Sequence, residues 1–192
     1  MSVSKKRLVV GISGASGVIL GIELLKMLQV FPDYETHLVV SRGAELTIAA
    51  ETEYSVEGVL RLADYTYDIK NIGASIASGT FKTAGMIIVP CSMKTAAGVA
   101  CGYSDNLLLR AADVTIKEKR NLVVVPRESP LSTIHLKNML VLAEAGAIII
   151  PPMVTYYNKP LVLEDMNRHI IGKILDKFGI EARGFTRWGE NF

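Results

Sequence analysis

The chain has 192 residues, of which 49% are apolar and 21% charged, and its formal net charge is +2. That is one domain's worth of sequence, able to bury a core without disulfide or metal staples, and its charge is too small to argue for nucleic acid or an anionic membrane. No apolar run approaches the roughly 20 residues of a membrane span. The opening Met1-Ser2-Val3-Ser4-Lys5-Lys6-Arg7 lacks a signal peptide's apolar region. Cys91 and Cys101 form no disulfide framework and no Cys-x-x-Cys metal spacing. A reduced, soluble, cytoplasmic protein without a metal is expected.

In chain order, short Val/Ile/Leu runs at 8–12, 36–40, 86–89, 122–125 and 147–150 read as strands. Helical patterns fall between and after them, at about 17–29, 43–50, 93–119 (broken near Gly102), 132–145 and 162–178. The strand runs are continuous in apolar residues rather than alternating, as expected when helices cover both faces of a parallel sheet. The order predicts right-handed βαβ units in a doubly wound α/β sheet, with residues 1–192 as a single domain. The stretch 52–80 has room for a short helix and one extra extended segment. Residues 183–192 carry no periodic signal and read as an arm or lid.

Ligands of such sheets bind beyond the carboxyl ends of the strands, where strand order reverses, so the residues that follow each strand are informative. The first strand enters Gly11-Ile12-Ser13-Gly14-Ala15-Ser16-Gly17 and then a helix. The glycines permit a tight turn, the free N–H groups of the helix start favour an anion, and Ser13 and Ser16 add hydroxyls. No Lys-Ser/Thr pair follows, so this is not a Walker loop. The second strand ends at Val40-Ser41-Arg42 without an acid for a ribose 2′-hydroxyl, although Arg42 leaves an NADP phosphate conceivable. A purely structural turn remains an alternative.

The third predicted strand ends at Pro90-Cys91-Ser92-Met93-Lys94-Thr95, which reads either as a second anion-friendly edge or as plain capping by Ser92. Arg110 and Lys117, two turns apart, share one helix face. The fourth predicted strand runs into Pro126-Arg127-Glu128-Ser129-Pro130, so three cations and a carboxylate are available to hold a phosphate and supply its proton. After the fifth, the Pro-stiffened Pro151-Pro152-Met153-Val154-Thr155-Tyr156-Tyr157 suits a pocket wall or a rigid connector. The dispersed His37, His135 and His169 read as structural.

Taken in order, Ser13-Gly14-Ala15-Ser16-Gly17, Ala50-Glu51-Thr52, Pro90-Cys91-Ser92, Arg110-Ala111-Ala112-Asp113, Pro126-Arg127-Glu128, Ser132-Thr133-Ile134-His135-Leu136, Tyr156-Tyr157 and Arg187-Trp188-Gly189 resemble the UbiX-like flavin prenyltransferases. The resemblance spans residues 7–190. It implies a flavodoxin-like (Rossmann-like) three-layer sandwich that binds FMN, needs no metal and assembles into a homo-oligomer, commonly a dodecamer. It implies transfer of a dimethylallyl group from dimethylallyl phosphate to N5 and C6 of reduced FMN. The product, prenyl-FMN, would serve a partner UbiD-type aromatic acid decarboxylase.

By position, the resemblance assigns FMN binding to Gly14, Ala15, Ser16, Ser41, Ser92, Met93, Lys94, Thr95 and Arg127, with Ser16 also catalytic. It assigns the allylic phosphate to Arg110, Lys117, Tyr157 and Lys173, with Glu128 as acid/base partner. Glu51 would help proton traffic, and Trp188 would stack over the isoprenoid. The family often has Arg where Lys173 stands, which keeps the charge but loses bidentate geometry. Rival readings are a cysteine-type flavoprotein decarboxylase, a direct aryl-acid decarboxylase, a non-catalytic FMN-binding subunit and an NADP oxidoreductase.

Overall fold

The computed structural model describes residues 5–189. Its elements run β1 (Lys6–Ile12), α1 (Val18–Leu28), β2 (Tyr34–Val40), α2 (Arg42–Glu51), α3 (Val56–Leu60), β3 (Tyr65–Tyr67), β4 (Gly85–Cys91), α4 (Met93–Ala100), α5 (Leu107–Lys117), β5 (Asn121–Pro126), α6 (Thr133–Glu144), β6 (Ile148–Ile149) and α7 (Leu163–Asp176). The stretch 52–80 therefore holds the short helix α3 and the edge strand β3. The helical pattern over 93–119 is split: α4 ends at Ala100 with Cys101 as its cap, and Gly102 takes φ 69°, a left-handed turn that a Cβ would disfavour.

The six strands are all parallel and lie in the order β3-β2-β1-β4-β5-β6. This is the expected α/β doubly wound sheet. The chain works outward from β1 to β3, then returns to the other side of β1 as β4, so the reversal lies between β1 and β4. Both faces are buried. Leu8, Val10 and Ile12 point into one core with Leu24 and Leu25 of α1 and Ile171 and Ile174 of α7. Val9, Met86 and Ile88 point into the other, with Ala96 of α4 and Leu108 of α5. This two-sided burial is why the strands read as unbroken apolar runs.

Of the predicted arm, residues 183–189 contain neither helix nor strand, and 190–192 lie outside the described residues. The arm lies along α7: a Cβ on Gly172 would come within 2.5 Å of Phe185, and Arg187 donates to Asp176 at 2.7 Å. Among the described residues no helix is long and apolar enough to cross a membrane.

Candidate active site

The β1–β4 crevice is stitched by a serine. Ser13 is fully buried; its Oγ donates to the Pro90 carbonyl at 3.1 Å and accepts from the Ser92 N–H at 2.8 Å. Its hydroxyl is spent on the scaffold, not offered to a ligand as the sequence implied. Gly14 follows, exposed, with its backbone against Gly43 of α2, so close that a Cβ would lie 2.7 Å from the Gly43 Cα. Ser41 caps α2 by accepting from the Ala44 N–H at 3.2 Å. Gly14 and Gly43 thus bare a strip of backbone on the rim, and nothing in the local pattern around Gly43 singles it out.

Gly17, at the N-cap of α1 with φ 93°, donates its N–H to the Glu51 carboxylate at 2.8 Å. The negative end group that favours a helix N-terminus is therefore a residue of this chain. Ser92 caps α4, accepting from the Thr95 N–H at 3.3 Å and donating to the Thr95 hydroxyl at 3.1 Å. Across β4, the Arg127 N–H donates to the Cys91 carbonyl at 3.1 Å, which brings exposed Arg127 and Glu128 to the same edge. Cys91 is fully buried, and burial pushes its thiol up to about 12, so it is no nucleophile. Arg42 pairs with Glu45 at 2.7 Å on its own helix.

The remaining candidates form two further groups within one chain. On α5, Arg110 pairs with Asp113 at 2.7 Å, and Lys117 approaches Glu118 at 3.4 Å. Both line a cleft of about 540 Å³ with Ser78, Lys82 and Arg120. Lys117 ends a helix that leads to Asn121, the start of β5, so it lies toward the amino edge of the sheet. Beyond β6, Tyr157 meets Trp188 edge-on at 5.3 Å and shares a 3.0 Å hydrogen bond with His169 Nε2. Lys173 and His169 line a cavity of about 240 Å³ walled by Ile149, Pro151, Met153 and Thr155. No spacing in the sequence pairs His169, which reads as structural there, with Tyr157. His135 is structural, closing a capping box with Ser132. A larger cleft of about 640 Å³, with Lys5, Lys6, Lys82 and Lys177, opens at the amino edge, at the opposite end of β1 and β4 from the crevice.

The family model "Flavoprotein" matches residues 1–175. A probable UbiX-like flavin prenyltransferase from Sedimentibacter hydroxybenzoicus is 55% identical over 95% of this chain and 96% of its own length. The chain belongs to the UbiX-like flavin prenyltransferases. A dodecameric FMN-dependent UbiX-like decarboxylase from Escherichia coli O157:H7 superposes with a TM-score of 0.93 at 50% identity, covering 95% of this chain and 98% of that one. The structure of AnUbiX in complex with FMN and dimethylallyl pyrophosphate gives 0.94 at 46% identity, covering 96% and 98%. The peptidyl-cysteine decarboxylase EpiD, 19% identical with a TM-score of 0.62 over 79% of this chain and 83% of its own, shares the fold alone.

Proposed function

We infer that this chain is a flavin prenyltransferase, moving the dimethylallyl group of dimethylallyl phosphate onto reduced FMN to make the prenyl-FMN of a partner UbiD-type decarboxylase. The observation that carries the reading is the crevice at the strand reversal. Bare backbone at Gly14 and Gly43, the capping hydroxyls of Ser41 and Ser92, the Thr95 hydroxyl bonded to Ser92, and the adjacent Arg127 and Glu128 share one edge. These groups fit FMN: flat backbone admits a ring, hydroxyls and N–H groups meet its polar edge, and Arg127 meets its phosphate. Reduced FMN, as acceptor, supplies the nucleophilic N5 and C6 atoms.

Allylic C–O cleavage leaves charge on phosphate oxygen and on carbon. Arg110, Lys117 and Lys173 answer the first, Glu128 delivers a proton to the departing phosphate, and the faces of Tyr157 and Trp188 answer the second. Glu51 relays protons at the flavin, next to Ser16. The net change adds C5H8 to the flavin and returns one proton with the phosphate.

Three separate groups of candidates in one chain support a site completed by neighbouring copies in a homo-oligomer, a dodecamer like the E. coli relative. Exposed Ile134 and Leu140 of α6 and Leu161, four residues after Tyr157, offer apolar contact surface for that assembly. The chain is read as one domain over 1–192 with an arm from about 183. Its free cysteines support a cytoplasmic location.

The test mixes the protein, FMN and dimethylallyl phosphate anaerobically with dithionite and takes a mass spectrum of the extracted flavin. A gain of one C5H8, lost in Glu128→Gln, is expected. Unmodified flavin from FMN-loaded protein with both the phosphate and the pyrophosphate donor would overturn the reading and leave a non-catalytic FMN-binding subunit.

A further inference from the structure

Tyr157 Oη has one proton and two neighbours, His169 Nε2 at 3.0 Å and the Thr186 carbonyl oxygen at 3.4 Å. A carbonyl only accepts, so the contact to Thr186 uses the phenol proton. With the phenol proton on Thr186, Nε2 carries its own proton and donates to Oη. The other ring nitrogen agrees: His169 is 2% exposed, and Nδ1 is buried with no protein partner among the described residues. A proton there would be an orphaned buried donor, whereas a bare Nδ1 leaves only an unused acceptor. The imidazole is held in place by Phe185, at 5.1 Å between ring centroids, and by the α7 backbone. Burial and the Lys173 charge hold its pKa below the ordinary histidine range, so it is a neutral donor.

We propose that His169 is a positioning residue: by filling one lone pair of Tyr157 Oη, it turns the phenol proton away from the imidazole, so that Tyr157 is a committed donor to an oxyanion beside Lys173. The Thr186 carbonyl holds that proton at long range, and a phosphate oxygen is the stronger acceptor. This makes phosphate recognition depend on the seating of the arm, because Thr186, Phe185 and Trp188 all touch the His169–Tyr157 pair. The proposal rests on the reading above that Tyr157 holds the allylic phosphate.

The experiment is calorimetric titration of dimethylallyl phosphate into the oxidised FMN complex, which cannot turn over, with assembly size and FMN loading verified for each variant. A glutamine amide can reach the place of Nε2 and donate, whereas an asparagine amide reaches only that of Nδ1. His169→Asn is expected to raise the dissociation constant about tenfold, with His169→Gln within about twofold of wild type. Adding His169→Asn to Tyr157→Phe should change nothing further. Equal losses in the Asn and Gln variants, no loss in either, or additive losses in the double variant would overturn the proposal. If wild type fails to bind the donor at all, the functional reading falls. The hydrogen bond is then decided by ¹⁵N resonance of the imidazole: a proton on Nε2 upholds it and a proton on Nδ1 overturns it.

Discussion

The tightest approach at the candidate site is backbone to backbone, and it predicts an asymmetry between two glycines. A Cβ on Gly14 would sit 2.7 Å from both the Cα and the carbonyl carbon of Gly43, closer than real Cβ atoms approach. A Cβ on Gly43 would meet Gly14 Cα at 3.2 Å and its nitrogen at 3.6 Å, which a small shift relieves. Neither glycine has a positive φ, so alanine is sterically acceptable to the local backbone and only the contact is tested. Gly14→Ala must push the β1 turn away from α2, an overpacking cost of about 2 kcal/mol. That corresponds to a fall of about 4–8 °C in unfolding midpoint for a chain of this size. Gly43→Ala loses less and recovers part of the roughly 1 kcal/mol by which alanine outranks glycine in a helix, so it should stay within about 0.5 kcal/mol of wild type. Thermal unfolding at matched protein concentration, paired with flavin fluorescence quenching, reads both effects. FMN affinity should fall about tenfold in Gly14→Ala alone, since about 1.4 kcal/mol at the rim is one decade. A Gly43→Ala protein as damaged as Gly14→Ala, or a Gly14→Ala protein indistinguishable from wild type, would refute the reasoning.

Ser13→Ala deletes two buried hydrogen bonds across the β1–β4 crevice. The Pro90 carbonyl keeps the Ser13 N–H at 3.2 Å, but the Ser92 N–H loses its acceptor. A loss of about 1–3 kcal/mol by denaturant unfolding is expected, with weaker FMN binding. Thiol labelling of the native protein should modify Cys101, which is exposed, and spare Cys91 until unfolding; fast labelling of Cys91 would contradict its burial. The Arg187 guanidinium holds the Asp176 carboxyl below its usual pKa. The contribution of this pair is thus complete above the ordinary aspartate value of about 4. It is lost as the pH falls through the lower, folded value. Protection of the arm's amides, taken relative to their intrinsic exchange rate at each pH, should fall at acid pH, and Asp176→Asn should show that fall already at neutral pH.

Much of the molecule was fixed by local pattern. Unbroken runs such as Leu8 to Ile12 demand burial on both faces, which only a parallel sheet between helix layers provides. Glycine turns after such a strand leave little choice for where a ligand sits, and the order of short motifs carried the family. What the sequence could not carry is contact between residues far apart along the chain. Ser13 looked like a ligand donor, yet 77 residues later lies the carbonyl that claims it. Gly43 reads as an ordinary helical residue until the backbone of Gly14 is laid against it. His169 sits unremarkably on an amphipathic helix, and only the return of the loop and arm places Tyr157 and Thr186 at its side. Nor does spacing tell that Arg110 and Lys117, though on one face of α5, stand in a separate group from the crevice. Composition and periodicity act through nearest neighbours and solvent, and so determine layers and strand ends. The direction of a proton and the partner of a hydroxyl depend on packing between distant segments, and only the tertiary structure decides them.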